Sequence, residues 1–180
     1  MRILKEETAA LLVDIQEKLF PHMSGADMML ASCLRLIEGL KVLSVPIIAT
    51  QQYTKGLGPT IVPVREKAGS ISYIEKISFS CMDEPLVRDQ LEALRKESII
   101  LFGIEAHVCV LQTCIDLIAE GYQPVVVEDC ISSRNTNDKV IAVERMRQEG
   151  ALITTSESIL FELTRIAGTG VFKMISGIIK

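Results

Sequence analysis

Four short runs of the chain are apolar without alternation: "AALLVDI" (9–15), "VPIIAT" (45–50), "SIILFG" (98–103) and "PVVVED" (124–129). A strand with one face in water alternates apolar and polar residues. These runs do not, so both of their faces must be covered, as in a parallel sheet with helices on each side. Two shorter runs, "SISYIEK" (70–76) and "ALITT" (151–155), bring the expected strands to about six.

The stretches between them have helical spacing. "ADMMLASCLRLIEGLKVL" (26–43) places apolar residues at 29, 30, 33, 34, 36, 37, 40 and 43. "DEPLVRDQLEALRKE" (83–97) offers Asp83 as an N-cap and Pro85 in the first turn, where a missing N–H does no harm. Residues 106–121 predict a helix closed by Gly121, residues 137–150 one closed by Gly150, and "SESILFELTRIAG" follows the last strand. Strands alternating with helices, joined by right-handed crossovers, predict a three-layer αβα fold. Its sheet would be doubly wound, mainly parallel and Rossmann-like. At 180 residues, the chain fits one domain spanning 1–180.

Composition excludes several classes of partner. A net charge of -4 with no basic run argues against nucleic acid and membrane surfaces. The absence of Trp and an aromatic content of 4% argue against base-stacking platforms. No apolar stretch approaches the roughly 20 residues that span a bilayer, and the N-terminus runs into a strand without a signal-type cleavage site. Five irregularly spaced cysteines fit a reducing compartment, the cytoplasm by default.

In a doubly wound sheet the site lies beyond the carboxyl ends of the strands, near the point where strand order reverses. That rule singles out Asp14 after the first strand, Lys76 at the end of the third and Cys109 at the start of the helix after the fourth. Asp14 could take a proton from the thiol and return it to a leaving group, while Lys76 holds Asp14 ionised. A helix N-terminus and a nearby ammonium would lower the pKa of Cys109, and N–H groups of "GIEAHVC" could stabilise an oxyanion. Each residue also has a plain structural reading: a cysteine as a small buried hydrophobe, an Asp as a turn former, a Lys as a solvated charge. Cys33 and Cys114 fit the core reading, whereas Cys81 and Cys130 stay open.

Further candidates surround these three. Gln16 shares a strand face with Asp14. Phe20, Tyr53 and Phe79 are candidates for lining a small apolar pocket, with Gln52 beside them, or for plain core. His107 lies two residues before Cys109, off its helix face, and reads as a pocket wall. Arg134 suits a neighbouring subunit, an anionic substrate or a loop brace. The glycines of "YTKGLGPT" do not form a phosphate-cradling loop, so no nucleotide cofactor is expected.

The blocks "LLVDIQEKLF", "VPIIATQQYTKGLGPT", "EKISFS" and "FGIEAHVCVLQTCIDLIAEGYQPVVVEDCISSR", in this order and spacing, resemble the isochorismatase-like cysteine hydrolase superfamily over essentially the whole chain. The resemblance is strongest to its small branch of isochorismatase-domain proteins. It implies Asp14, Lys76 and Cys109 as a catalytic triad and a cis peptide between Ile104 and Glu105. It also implies an oxyanion hole from the backbone amides of Glu105 and Cys109. Metal-binding members carry histidines after the second strand. Here that region reads "TQQYTKGLGPT" and the chain's only histidines are His22 and His107, so no metal is expected.

Members that cleave a vinyl ether lack the cysteine. The resemblance therefore implies a metal-independent hydrolase acting on an amide-like or related bond through a thioester. The alternatives are an isochorismatase-type vinyl ether hydrolase and a catalytically silent scaffold or thiol sensor. Members are commonly oligomers. The helix at 106–121 is apolar nearly all round and "GVFKMISGII" is apolar for a terminus, so a homodimer or higher assembly is expected.

Overall fold

Thr8–Val13 (β1), Ile47–Gln52 (β2), Tyr73–Lys76 (β3), Ser98–Ile104 (β4), Gln123–Ser132 (β5) and Leu152–Thr154 (β6) form one sheet in the order β3-β2-β1-β4-β5-β6. Every pairing in it is parallel. The structure, a computed structural model, describes residues 1–180. Strand order reverses between β1 and β4, the doubly wound arrangement whose crevice opens at that reversal.

Side chains along a strand point alternately to the two faces, which splits the core in two. Ala10 and Leu12 of β1, with Ile100 and Phe102 of β4, pack under Ala26–Val42 (α1), Val62–Ala68 (α3), Ser156–Thr164 (α7) and Gly170–Ile179 (α8). Ala9, Leu11 and Val13, with Ile99 and Leu101, pack under Pro85–Leu94 (α4), Leu111–Ala119 (α5) and Thr136–Glu149 (α6). All six residues of β1 and all seven of β4 are buried, the reason these runs show no alternation.

Some local expectations shift. Asp83 does not cap α4. It ends a 3-10 turn, Cys81–Asp83, whose cap is Ser80, and the N-cap of α4 is Glu84 with no side-chain bond. The extra turn exists because the backbone N–H of Cys81 is drawn to Thr113 Oγ1 at 2.9 Å. The helix expected at 106–121 opens with a π-helical turn, Ala106–Val110, before α5. The "YTKGLGPT" loop contains a single helical turn, Thr54–Leu57 (α2), and α3 follows it. The apolar C-terminal run forms α8, which buries Ile175 and sets Phe172 6.2 Å from Phe161 of α7, so its own chain supplies the docking surface.

Candidate active site

Two backbone features bring the ends of β1 and β4 together. Asp14 has a φ of 50°, a left-handed conformation that Asp tolerates better than most residues, and it turns the chain out of β1. Beside it, Gly103 has a φ of 127°, and a Cβ there would lie 2.0 Å from the carbonyl oxygen of Val13. Only glycine permits this approach. The Ile104–Glu105 peptide that follows is cis.

Asp14 and Lys76 are both buried, with side chains at 0% exposure, and Lys76 Nζ lies 2.7 Å from Asp14 Oδ2. The ammonium also donates to Gln52 Oε1 at 2.8 Å, the Ser78 carbonyl at 3.1 Å and the Phe79 carbonyl at 3.0 Å. Oδ2 therefore meets the positive charge of Lys76 directly. The other carboxylate oxygen, Oδ1, accepts a hydrogen bond from Thr50 Oγ1 at 2.8 Å. Thr50 Oγ1 in turn lies 3.7 Å from the sulfur of Cys81. Because the hydroxyl has committed its proton to Asp14, the Cys81 S–H is the donor in that contact.

Cys109, 6% exposed, sits in the π-helical turn above this pair. Burial, and then the negative charge of Asp14, push its thiol up to about 12 against the opposing pull of Lys76. This corrects the expectation of a thiolate held by a helix N-terminus and an ammonium. Desolvation outweighs both. The resting group is a protonated thiol. Cys81, fully buried, is likewise pushed up to about 11, chiefly by burial. For Lys76, burial works against the charge, but Asp14 and the two thiols outweigh it and its pKa is raised.

The remaining candidates fall into different places. Gln16 is buried and its amide is spent on backbone: Nε2 donates to the carbonyls of Gln52 at 2.8 Å and Gly58 at 2.6 Å, and Oε1 accepts from Gln52 N at 2.7 Å. Gln16 is thus a strut between the turn after β1 and the end of β2. Gln52 bridges Lys76 and the Ile77 carbonyl, at 2.6 Å, with its side-chain amide. Phe20 packs half-buried against the α1-side core. Tyr53 and Phe79 are exposed, with Ile77, on the segments leaving β2 and β3.

His107 Nδ1 lies 2.9 Å from Ser133 Oγ, and the residue lines a hollow against α6. Arg134 braces the Glu105 carboxylate, donating from its backbone N and from Nε at 3.1 Å each. No three His, Cys, Asp or Glu side chains converge as a metal donor set. A cavity of ≈ 630 Å³ lies between the start of α1, the end of β5 and α6, and holds none of Asp14, Lys76 and Cys109.

The sequence reading missed Thr50 and Thr113 and left Cys81 open. A signal for Thr50 existed: it shares a strand face with Gln52 at the carboxyl end of β2. Cys81 and Thr113 meet across 32 positions of sequence, which no local pattern records.

The isochorismatase domain family matches residues 8–158. Isochorismatase family protein 1B of Dictyostelium discoideum is 40% identical over 183 aligned residues, covering 99% of this chain and 89% of that protein. Among solved structures, MAR1 ribonuclease from Caenorhabditis elegans superposes with a TM-score of 0.93 at 37% identity, covering 99% of this chain and 92% of its own. The YcaC gene product from Escherichia coli, described as an octameric hydrolase of unknown specificity, gives a TM-score of 0.93 at 25% identity, covering 99% and 89%. With a domain match that takes in both ends of the site and relatives alike along the whole chain, this protein belongs to the isochorismatase domain family.

Proposed function

We propose that the protein is a metal-independent cysteine hydrolase that cleaves an amide-like C–N bond, or a related acyl bond, in a small molecule through a thioester on Cys109. The observation that carries this reading is a buried Asp14 carboxylate, held at Oδ2 by the Lys76 ammonium at 2.7 Å, beside a Cys109 thiol that burial and the charge of Asp14 keep protonated. A thiol that stays protonated at rest needs a base at the moment of attack, and Asp14 is the carboxylate beside it.

The Cys109 proton passes to Asp14 as sulfur bonds to the substrate carbonyl carbon. The tetrahedral oxyanion faces the backbone amides of Glu105 and Cys109. Collapse breaks the C–N bond, and the leaving amine takes the proton from Asp14. Water then attacks the thioester, giving its proton to Asp14, which returns it to the departing sulfur. Lys76 keeps its charge throughout and its three hydrogen bonds hold it in place. Tyr53, Ile77 and Phe79 supply an apolar rim for the acyl group. Five free cysteines support a reducing compartment such as the cytoplasm. The octameric YcaC neighbour supports a homo-oligomer.

An intact-mass screen with small amides, carbamoyl compounds and esters tests the reading. The expected result is an acyl adduct on Cys109, and loss of turnover in Cys109→Ala with the fold retained. Full turnover in Cys109→Ala would instead favour non-covalent vinyl ether hydrolysis at Asp14 and Lys76. No turnover and no adduct across the panel would favour the scaffold or sensor reading. The likeness to the C. elegans ribonuclease favours one further reading, cleavage of RNA. Degradation of labelled RNA by wild type but not by Asp14→Asn would move the assignment there.

A further inference from the structure

Helix α6 leaves Val140 at 58% and Ile141 at 55% exposure. Beside them lies a hollow of ≈ 230 Å³ lined by Asp138, Ile141, Ala142 and Arg145 of α6 and by His107 and Leu111. The four α6 residues have the i, i+3, i+4, i+7 spacing of the hole that receives one side chain from a facing helix. Ala142, buried and without a long side chain, leaves the floor of the hole low. The occupant must bring an apolar side chain with a charge on either side, acidic towards Arg145 and basic towards Asp138.

A second α6 meets that description. The centre of the hole falls midway between Ile141 and Ala142. A two-fold axis through this point runs the two helices antiparallel. It sets Asp138 against Arg145, Lys139 against Glu144 and Ile141 against Ala142 of the second copy, as the sequence "NDKVIAVERMRQ" dictates. A parallel pairing would instead set Asp138 on Asp138 and Arg145 on Arg145, and like charges face to face are strongly disfavoured. The half-buried Val108 and Ile115, on the π-helical turn and α5 beside α6, widen the apolar area.

We propose that this face is a two-fold interface between two copies of the chain, in which Ile141 of each fills the hollow of the other and Asp138 pairs with Arg145. The proposal rests on the homo-oligomer reading and names its contact surface.

The test is the molar mass of the whole protein by light scattering and sedimentation. Asp138→Arg and Arg145→Asp should each lower the assembly mass and raise the dissociation constant by about tenfold or more. The double reversal, Asp138→Arg with Arg145→Asp, should restore both. Ile141→Ser, at an exposed position, should also lower the mass; it keeps the test decisive where a reversed charge unsettles α6, with circular dichroism following the fold. A monomeric wild type at about 100 μM overturns the oligomer reading and the interface with it. A wild-type oligomer whose mass neither Ile141→Ser nor the single reversals lower overturns the interface alone. So does a double reversal that stays as dissociated as the singles.

Discussion

At the scale of single residues, the proposed chemistry turns on how the two oxygens of Asp14 are held. Thr50 holds Oδ1 with a 2.8 Å hydrogen bond, and Lys76 holds Oδ2 at 2.7 Å. Thr50→Val keeps the shape of the side chain but leaves a buried carboxylate oxygen unsatisfied, at a cost of about 1–3 kcal/mol. It should also slow modification of Cys109 by iodoacetamide at pH 7.5 by roughly tenfold, because the hydroxyl of Thr50 fixes the orientation of the carboxylate that takes the thiol proton. Thr50→Ser should recover the rate. Equal rates for Val and wild type would remove Thr50 from this role. Asp14 and Lys76 were legible in sequence because they end strands. The state of Cys109 was not, because desolvation depends on everything packed around the sulfur and not on its position in a helix.

Among elements, the contact between β1 and β4 is the most demanding. Gly103→Ala would drive a Cβ to within 2.0 Å of a main-chain oxygen that cannot step aside without breaking the sheet. A loss of more than about 3 kcal/mol in urea unfolding is expected, among the largest for a one-carbon change. A loss under 1 kcal/mol would mean that the strands can separate locally. The strands themselves were readable from their unbroken apolar runs, and α6 from Gly150 at its end; its N-cap, Asn135, accepting from Asn137 N, shows only in the structure. The start of α4 misled because Asp83 has the right chemistry for a cap, whereas a remote threonine, Thr113, takes hold of the preceding turn.

For the whole molecule, the buried thiols set the alkaline limit. Cys81 is pushed up to about 11 and Cys109 and Cys114 to about 12, burial being the main cause for each, against an ordinary value of 9.0. Below pH 9 both folded and unfolded chains keep these protons, so the thiols give no pH dependence. As pH rises from 9 towards 12 the unfolded chain releases them first, and stability falls by about 1.4 kcal/mol per pH unit for each thiol. The urea midpoint should stay level from pH 7 to 8.5 and then drop steeply, and because burial raises Cys130 as well, Cys114→Ala should reduce the slope by about a quarter. A midpoint unchanged at pH 10.5 would contradict these buried thiols.

The sheet also acts as a partition. Leu36 of α1 and Leu117 of α5 are both fully buried, but in separate clusters on opposite faces, with a layer of β-strand between them. Neither side chain shares a neighbour set with the other, so each loss of volume relaxes into its own half. The destabilisations of Leu36→Ala and Leu117→Ala should therefore sum in the double variant to within about 0.5 kcal/mol, whereas Leu36→Ala with Leu40→Ala, both on α1 in one cluster, should not. Thermodynamically the molecule is two cores sharing a wall, and damage on one side is not heard on the other.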